Sequence, residues 1–276
     1  MMLLIDAGNT RAKYTWLNGG QRQTAACLLD YATLPAWPRQ QARRPQRILG
    51  SNVAGPDVAR QLDAACQAAW GARVQWCTAQ HGQTLLRNHY ADPARLGADR
   101  WLGLLGLLQH LRGTASWQAG HPAILASFGT ATTIDTLLPA ASGDADGRPA
   151  FMGGLILPGP SLMAHSLTQS TAHLPLPQGH CVDFPRETHD AITSGIAAAQ
   201  AGALLRQWRL ARAAAQGRAP LVHATGGGWP LVREAIQAEQ ALARQHEGLP
   251  AEPIQFLDAP VLDGLAVLAG LPADAT

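Results

Sequence analysis

The chain begins with an apolar run, Leu3-Leu4-Ile5, that meets Asp6 and then the turn-forming string Ala7-Gly8-Asn9-Thr10. Ala12-Lys13-Tyr14-Thr15-Trp16-Leu17 alternates and is β-prone, and Asn18-Gly19-Gly20 closes it. This pattern predicts strand, tight turn, strand. Pro35 to Arg47 is rich in proline and arginine and reads as a surface loop. Arg47 to Val53 reads as a strand running into a turn, and Val74-Gln75-Trp76-Cys77 as another strand. Between them, Asp57 to Trp70 carries Val58, Leu62, Ala65 and Ala69 at helical spacing. Strand–helix–strand grammar of this kind favours an α/β sheet.

Ala98 to Leu111 is apolar nearly all round, which predicts a buried helix. A second apolar run, Ala123 to Ser127, enters Phe128-Gly129-Thr130-Ala131-Thr132-Thr133, and Ile134 to Leu138 leaves it as a strand. Pro139 to Pro149, with Gly143, Asp144, Asp146 and Gly147, reads as a turn or hairpin end. Helices are expected over Ala191–Ala215, Pro230–Arg244 and Val261–Leu271, with fraying beyond. Leu221 to Ala224 is a buried-type strand that runs into Thr225-Gly226-Gly227-Gly228. The segments LLIDAGNTRAKYTWL and ILASFGTATTIDTLL share one plan: apolar strand, small residue, glycine, hydroxyl or amide residue, second strand. Lying about 120 positions apart, they read as one hairpin repeated in two domains. The expected boundary is near residue 118, giving domains 1–118 and 119–276.

Composition narrows the function. The 276 residues are 47% hydrophobic and 14% charged, enough to bury a sizeable core. Formal net charge is +2, from 21 basic and 19 acidic residues, without the basic excess of a nucleic-acid binder. Lys13 is the only lysine in that basic set, and it stands beside a glycine turn. Cys27, Cys66, Cys77 and Cys181 form no C-x-x-C pair and read as incidental thiols of a reducing compartment. The apolar start is brief, Asp6 interrupts it and no basic region precedes it, so a signal peptide is not expected. The most apolar stretch, Trp101 to Leu111, is far below the ~20 residues that span a bilayer. A soluble, intracellular protein is the expectation.

Three glycine-bearing turns carry the candidate chemistry. In Asp6-Ala7-Gly8-Asn9-Thr10, Gly8 allows a close backbone turn that aims N–H groups at an anion. Asn9 and Thr10 add donors, Lys13 supplies a compact positive charge, and Asp6 suits a hydrated magnesium ion. An ordinary Asp-Gly hairpin with a surface lysine is the plainer alternative. Gly129-Thr130-Ala131-Thr132-Thr133 echoes the first turn, although threonine is β-prone in any case. Thr225-Gly226-Gly227-Gly228, between strand and helix, offers flat backbone to an adenine or a phosphate, or is simply a βα turn. Gly97-Ala98-Asp99-Arg100 opens the buried helix. Asp99 there is either a helix cap or a general base toward an alcohol, with Arg100 a partner for carboxylate or phosphate. Gly153 to Pro160 reads as a strand between turns or as a pocket wall. No Walker loop, H-E-x-x-H or G-x-S-x-G occurs.

Together these residues resemble the type III pantothenate kinases (the Bvg accessory factor family). The resemblance rests on D-x-G-N-T at 6–10 with Lys13, G-A-D-R at 97–100 and G-T-A-T-T-x-D at 129–135. G-G-x-I-x-P-G at 153–159, T-A-x-L-P at 171–175 and T-G-G at 225–227 complete it, in order over nearly the whole chain. It implies two ribonuclease-H-like α/β domains of the actin-like ATPase superfamily (acetate and sugar kinases, Hsc70, actin), facing across a cleft, usually in a homodimer. The second domain would carry the second phosphate hairpin and the adenosine-side glycine turn. The resemblance also implies transfer of the ATP γ-phosphoryl group to pantothenate, the first step of coenzyme A synthesis, with Mg2+. Motif by motif, Asp99 becomes the base and Asp6 the magnesium-side carboxylate. Gly8, Asn9, Thr10, Lys13, Gly129, Thr130, Thr132, Gly226 and Gly227 fall to ATP. Tyr90, Gly97, Ala98, Arg100, Gly154 and Thr188 fall to pantothenate, Thr188 from the partner subunit.

There is one departure. Many members carry aspartate two residues before the glycine of the second phosphate motif, where it binds K+ or NH4+; here that residue is Ser127, which is neutral and would hold a monovalent cation more weakly. Because a relative was first described as an accessory factor for a transcription regulator, a non-catalytic supporting role is the alternative. An actin-like sugar kinase or phosphatase shares the hairpins but leaves G-A-D-R and Tyr90 unexplained.

Overall fold

The structure is a computed structural model that describes residues 1–140, 146–170 and 179–271. T-A-x-L-P at 171–175, the Gly143–Asp144 turn and the expected fraying of the last residues lie outside the described residues. The chain divides into two compact units: Met1–Thr114 with Ala140–Phe151 and Asp258–Thr276, and Ala115–Pro139 with Met152–Leu257.

The first unit opens with β1 (Met2–Ala7) and β2 (Ala12–Asn18), antiparallel, with Asp6 opposite Lys13 and Ala7 opposite Ala12. β3 (Gln21–Arg22) and β4 (Cys27–Leu29) extend the sheet from β2. β5 (Arg47–Asn52) pairs in parallel with β1; α1 (Pro56–Trp70) then crosses to β6 (Val74–Trp76), parallel to β5. β7 (Arg87–Asn88) and α2 (Ala98–Leu111) follow.

Leu3, Leu4 and Ile5 are all fully buried, because β1 is covered on both faces. On one face Leu3 and Ile5 meet Leu62 and Cys66 of α1. That face also holds an edge-to-face aromatic cluster. Trp37 stands 4.8 Å from Tyr14 and 5.9 Å from Trp70, ring centre to ring centre. The expected surface loop from Pro35 is therefore corrected: Trp37 and Pro38 are buried. A single tryptophan in an arginine- and proline-rich stretch has no periodicity to announce it.

The second unit contains α3 (Ala115–Gln118), β8 (Ala123–Phe128), β9 (Ala131–Leu138) and β10 (Ala150–Pro158), the last beginning in the first unit, where it pairs with β7. Then come α4 (Pro160–Ser170), α5 (Thr188–Ala214), β11 (Leu221–Thr225), α6 (Trp229–His246) and β12 (Gln255–Phe256). β8 pairs antiparallel with β9 and parallel with β11. α5 and α6 bring Leu204, Trp208, Trp229 and Ile236 against Phe128 and Ile134 of the sheet.

Leaving aside β4, which pairs with β2 off the main path, the strand order within each unit is the same: third, second, first, fourth, fifth. In both, the first pair is antiparallel and the first and fourth strands are parallel. This is the ribonuclease-H-like plan, and it makes the repeated hairpin a structural repeat. α7 (Pro260–Ala269) returns to the first unit and packs on α2 and against β1 and β5. There the two helix backbones touch. A Cβ on Gly106 would fall on the Pro260 carbonyl, and one on Gly264 on the Leu102 carbonyl. We expect Gly106→Ala to cost roughly 1–3 kcal/mol or more by overpacking against rigid backbone. Gly202→Ala, on an open stretch of α5, should instead gain about 0.5–1 kcal/mol. Urea unfolding of both variants checks the contrast.

Candidate active site

In the first unit the site is built at the carboxyl end of β1. Asp6 is the last polar residue of that strand, and the chain then turns through Gly8, Asn9, Thr10 and Arg11 to enter β2. Asn9 and Thr10 are exposed at the tip, whereas Gly8, Asp6 and Lys13 are half-buried. Lys13 stands across the hairpin from Asp6, and its ammonium donates to the Asp258 carbonyl at 3.3 Å.

Asp6 is electrostatically unusual. Its Oδ1 is sealed from solvent and has no hydrogen-bond partner among the described residues. Burial, and then the charge of Asp99, push its pKa from 3.8 up to about 7, against a downward pull from Lys13. Asp99, which shares this field, sits in the first turn of α2. Its Oδ1 accepts the Arg100 N–H at 2.8 Å, satisfying one free donor of the helix start. Burial nonetheless outweighs that bond and Arg100, so the Asp99 pKa is also raised. The cap position itself belongs to Gly97, so the cap reading of Asp99 is corrected: it is a first-turn carboxylate that holds the next N–H. Gly97 makes room for it: a Cβ at that position would lie 2.7 Å from Asp99 Oδ1. Ala98 is the first residue of the helix.

Arg100 is buried, with its guanidinium 5.7 Å from the Tyr90 ring centre and 5.8 Å from that of Phe151. Tyr90 and Phe151 stack at 6.2 Å. The structure thus brings Tyr90, Gly97, Ala98, Asp99 and Arg100 to one place and sets Asp99 near Asp6.

In the second unit Gly129 and Thr130 form the exposed turn between β8 and β9. Two backbone bonds hold it. The Gly228 N–H donates to the Phe128 carbonyl at 2.8 Å, and the Gly159 N–H to the Thr130 carbonyl at 2.9 Å. Gly226, at φ +97°, lies so close that a Cβ would meet the Phe128 carbonyl. The glycine turn at 226–228 and the turn at 129–130 are therefore one assembly, with Gly227 open at its surface. Thr132 is buried, and its Oγ1 has no partner among the described residues. Ser127, at the end of β8, stands between Thr133 and Thr225.

Two sequence-derived residues lie outside that assembly. Gly154 passes over Asp135, where a Cβ would strike the carboxylate. Thr188 is the exposed first residue of α5, where Glu187 caps the helix; it borders an apolar groove of about 390 Å³ between α4 and α5.

Three neighbours escaped sequence reading. Phe151 completes the Arg100 stack. Gln200, fully buried in α5, donates to the Pro158 carbonyl at 2.9 Å, behind the strand end that pins Thr130. Tyr31 donates its hydroxyl to the Gly8 carbonyl at 2.6 Å. None has a motif; only packing reveals them.

A family model described as type III pantothenate kinase matches residues 2–210. A type III pantothenate kinase from Bordetella petrii is 48% identical over 275 residues, covering 99% of this chain and 98% of the relative. That from Bordetella bronchiseptica is 47% identical over 279 residues, covering 98% and 97%. Among solved structures, an exopolyphosphatase-like protein aligns at TM-score 0.52 and 9% identity over 98% of each chain, a likeness of fold alone. On a match of this length and identity, the chain belongs to the type III pantothenate kinase family.

Proposed function

We propose that this protein transfers the γ-phosphoryl group of ATP to the primary hydroxyl of pantothenate, giving 4'-phosphopantothenate in the first step of coenzyme A synthesis. Family membership supports the reaction. The observation that carries the site is the partly sealed Asp99 at the head of α2, beside Asp6 and next to the Arg100 stack. Phosphoryl transfer asks a protein for positioning and charge neutralisation more than for covalent chemistry.

In this reading Asp99 is the general base. Burial raises its pKa above the usual carboxylate value, which makes it a better proton acceptor than an exposed carboxylate. Arg100 pairs with the pantothenate carboxylate, and Tyr90, Gly97, Ala98 and Gly154 shape the rest of that subsite. Gly8, Asn9, Thr10 and Lys13 hold ATP phosphates from the first unit; Gly129, Thr130, Thr132, Gly226 and Gly227 are the nucleotide residues of the second.

Asp6 fits a magnesium ion. A sealed carboxylate oxygen without a donor needs a cation, and magnesium takes one or two carboxylates, completing its shell with water and phosphate. When bound, the ion supplies charge neutralisation on the phosphates. At Ser127 the surrounding hydroxyls carry no charge, so K+ or NH4+ is held weakly. A homodimer that offers Thr188 to its partner, in the cytoplasm, belongs to the same reading. No helix among the described residues is long and apolar enough to cross a membrane. A purely supporting role beside a transcription regulator would leave the two raised carboxyls without a task.

Asp99→Asn should lower kcat/KM for pantothenate by about 10²–10⁴-fold while the urea midpoint is kept. Pantothenate-dependent ADP release measures it, with K+, NH4+ or neither present; near-normal turnover would remove Asp99 from the base role. Asp6 makes a separate prediction about stability. Its folded pKa lies above the unfolded one, so folding favours the neutral acid. That stabilisation is complete below about pH 4 and is lost as pH rises through about 7. Without magnesium, Asp6→Asn should therefore gain on the parent between about pH 4 and 7 and hold its advantage above. Urea unfolding across that range reads the difference, and a flat profile would mean that Asp6 titrates like an exposed carboxylate.

A further inference from the structure

The first anion turn leans on a residue outside every motif. Tyr31 opens a short 3₁₀ turn, Tyr31–Thr33, that Asp30 caps by accepting the Ala32 N–H at 3.0 Å. This fixes the ring where its hydroxyl reaches the Gly8 carbonyl at 2.6 Å. The Gly8 C=O and the Asn9 N–H are the two ends of one planar trans peptide, and they point in opposite directions. With the oxygen tied to Tyr31, the Asn9 N–H faces away from it. A flip of this peptide turns ψ of Gly8 and φ of Asn9, and Gly8, with no Cβ, gives little resistance to its share. Flipped, the same unit would present a carbonyl oxygen where an anion is to bind.

We propose that Tyr31 is a positioning residue whose hydroxyl locks the Gly8–Asn9 peptide so that its N–H, not its oxygen, is offered to the polyphosphate of the nucleotide. The phenol is a durable donor. Burial, and then the nearby Asp6 charge, push its pKa up to about 12, so it keeps its proton throughout the working pH range. Tyr31 acts through the backbone of Gly8 and touches no reacting atom. The inference rests on reading this turn as a grip for nucleotide phosphates, and an inorganic probe separates the two ideas.

Tyr31→Phe removes the hydroxyl and keeps the ring. Loss of one bond that orders an anion donor should weaken binding of inorganic tripolyphosphate about tenfold and raise KM for ATP by a similar factor. Adenosine binding and KM for pantothenate should change by less than about twofold, a split that general loosening of the fold would not produce. Isothermal titration and steady-state kinetics measure these, with urea unfolding as the control. An unchanged tripolyphosphate affinity in folded Tyr31→Phe, or an equal loss for adenosine, overturns the proposal. If the variant does not fold, the Asn9 amide of the ¹⁵N-labelled parent decides: a downfield shift on saturation with tripolyphosphate supports the lock, and no shift refutes it. A parent that binds tripolyphosphate through Tyr31 but never phosphorylates pantothenate overturns the kinase reading and leaves the lock standing.

Discussion

One sealed carboxylate oxygen organises the first unit. Asp6 Oδ1 lies at the end of a strand covered on both faces, without a donor and under the negative field of Asp99. A carboxyl so placed is costly to ionise until positive charge arrives. Lys13, across the hairpin, answers that condition in part by lowering the pKa that burial and Asp99 raise. With its pKa raised to about 7, Asp6 takes up a proton far more readily than an exposed carboxylate does.

The second unit solves a different problem with geometry. Its turn at 129–130 is pinned through backbone atoms, by Gly228 on one side and Gly159 on the other. Backbone donors in such contacts are nearly insensitive to side-chain substitution, provided the glycines remain. Their requirement is steric: at Gly226 and Gly159 a side chain would have to occupy the same space as a neighbouring carbonyl. This explains why glycine recurs across three separate segments that meet only in the folded chain.

Most elements were legible from local pattern. The β1–β2 hairpin, α2 and β11 each combine burial with a clear period or a bounded apolar run, and the repeat of the hairpin plan foretold the repeat of the sheet. What escaped was set by distant packing. Trp37 is isolated among prolines and arginines, yet it completes an aromatic cluster with Tyr14 and Trp70. Tyr31 and Gln200 act through hydrogen bonds to backbone 23 and 42 positions away, which no window of local sequence contains. At the candidate site the motif residues were readable as residue types, but the raised pKa of Asp6 was not, since it follows from what surrounds the carboxyl.

The return of α7 to the first unit sets an order of assembly. α2 crosses α7 with their backbones in contact, and among the described residues α7 is the last element. During synthesis, which proceeds from the amino end, β1 and β5 emerge well ahead of the helix that packs on them, and every strand of the second unit lies between. The surface of β1 and β5 that α7 covers stays open until that helix has been made.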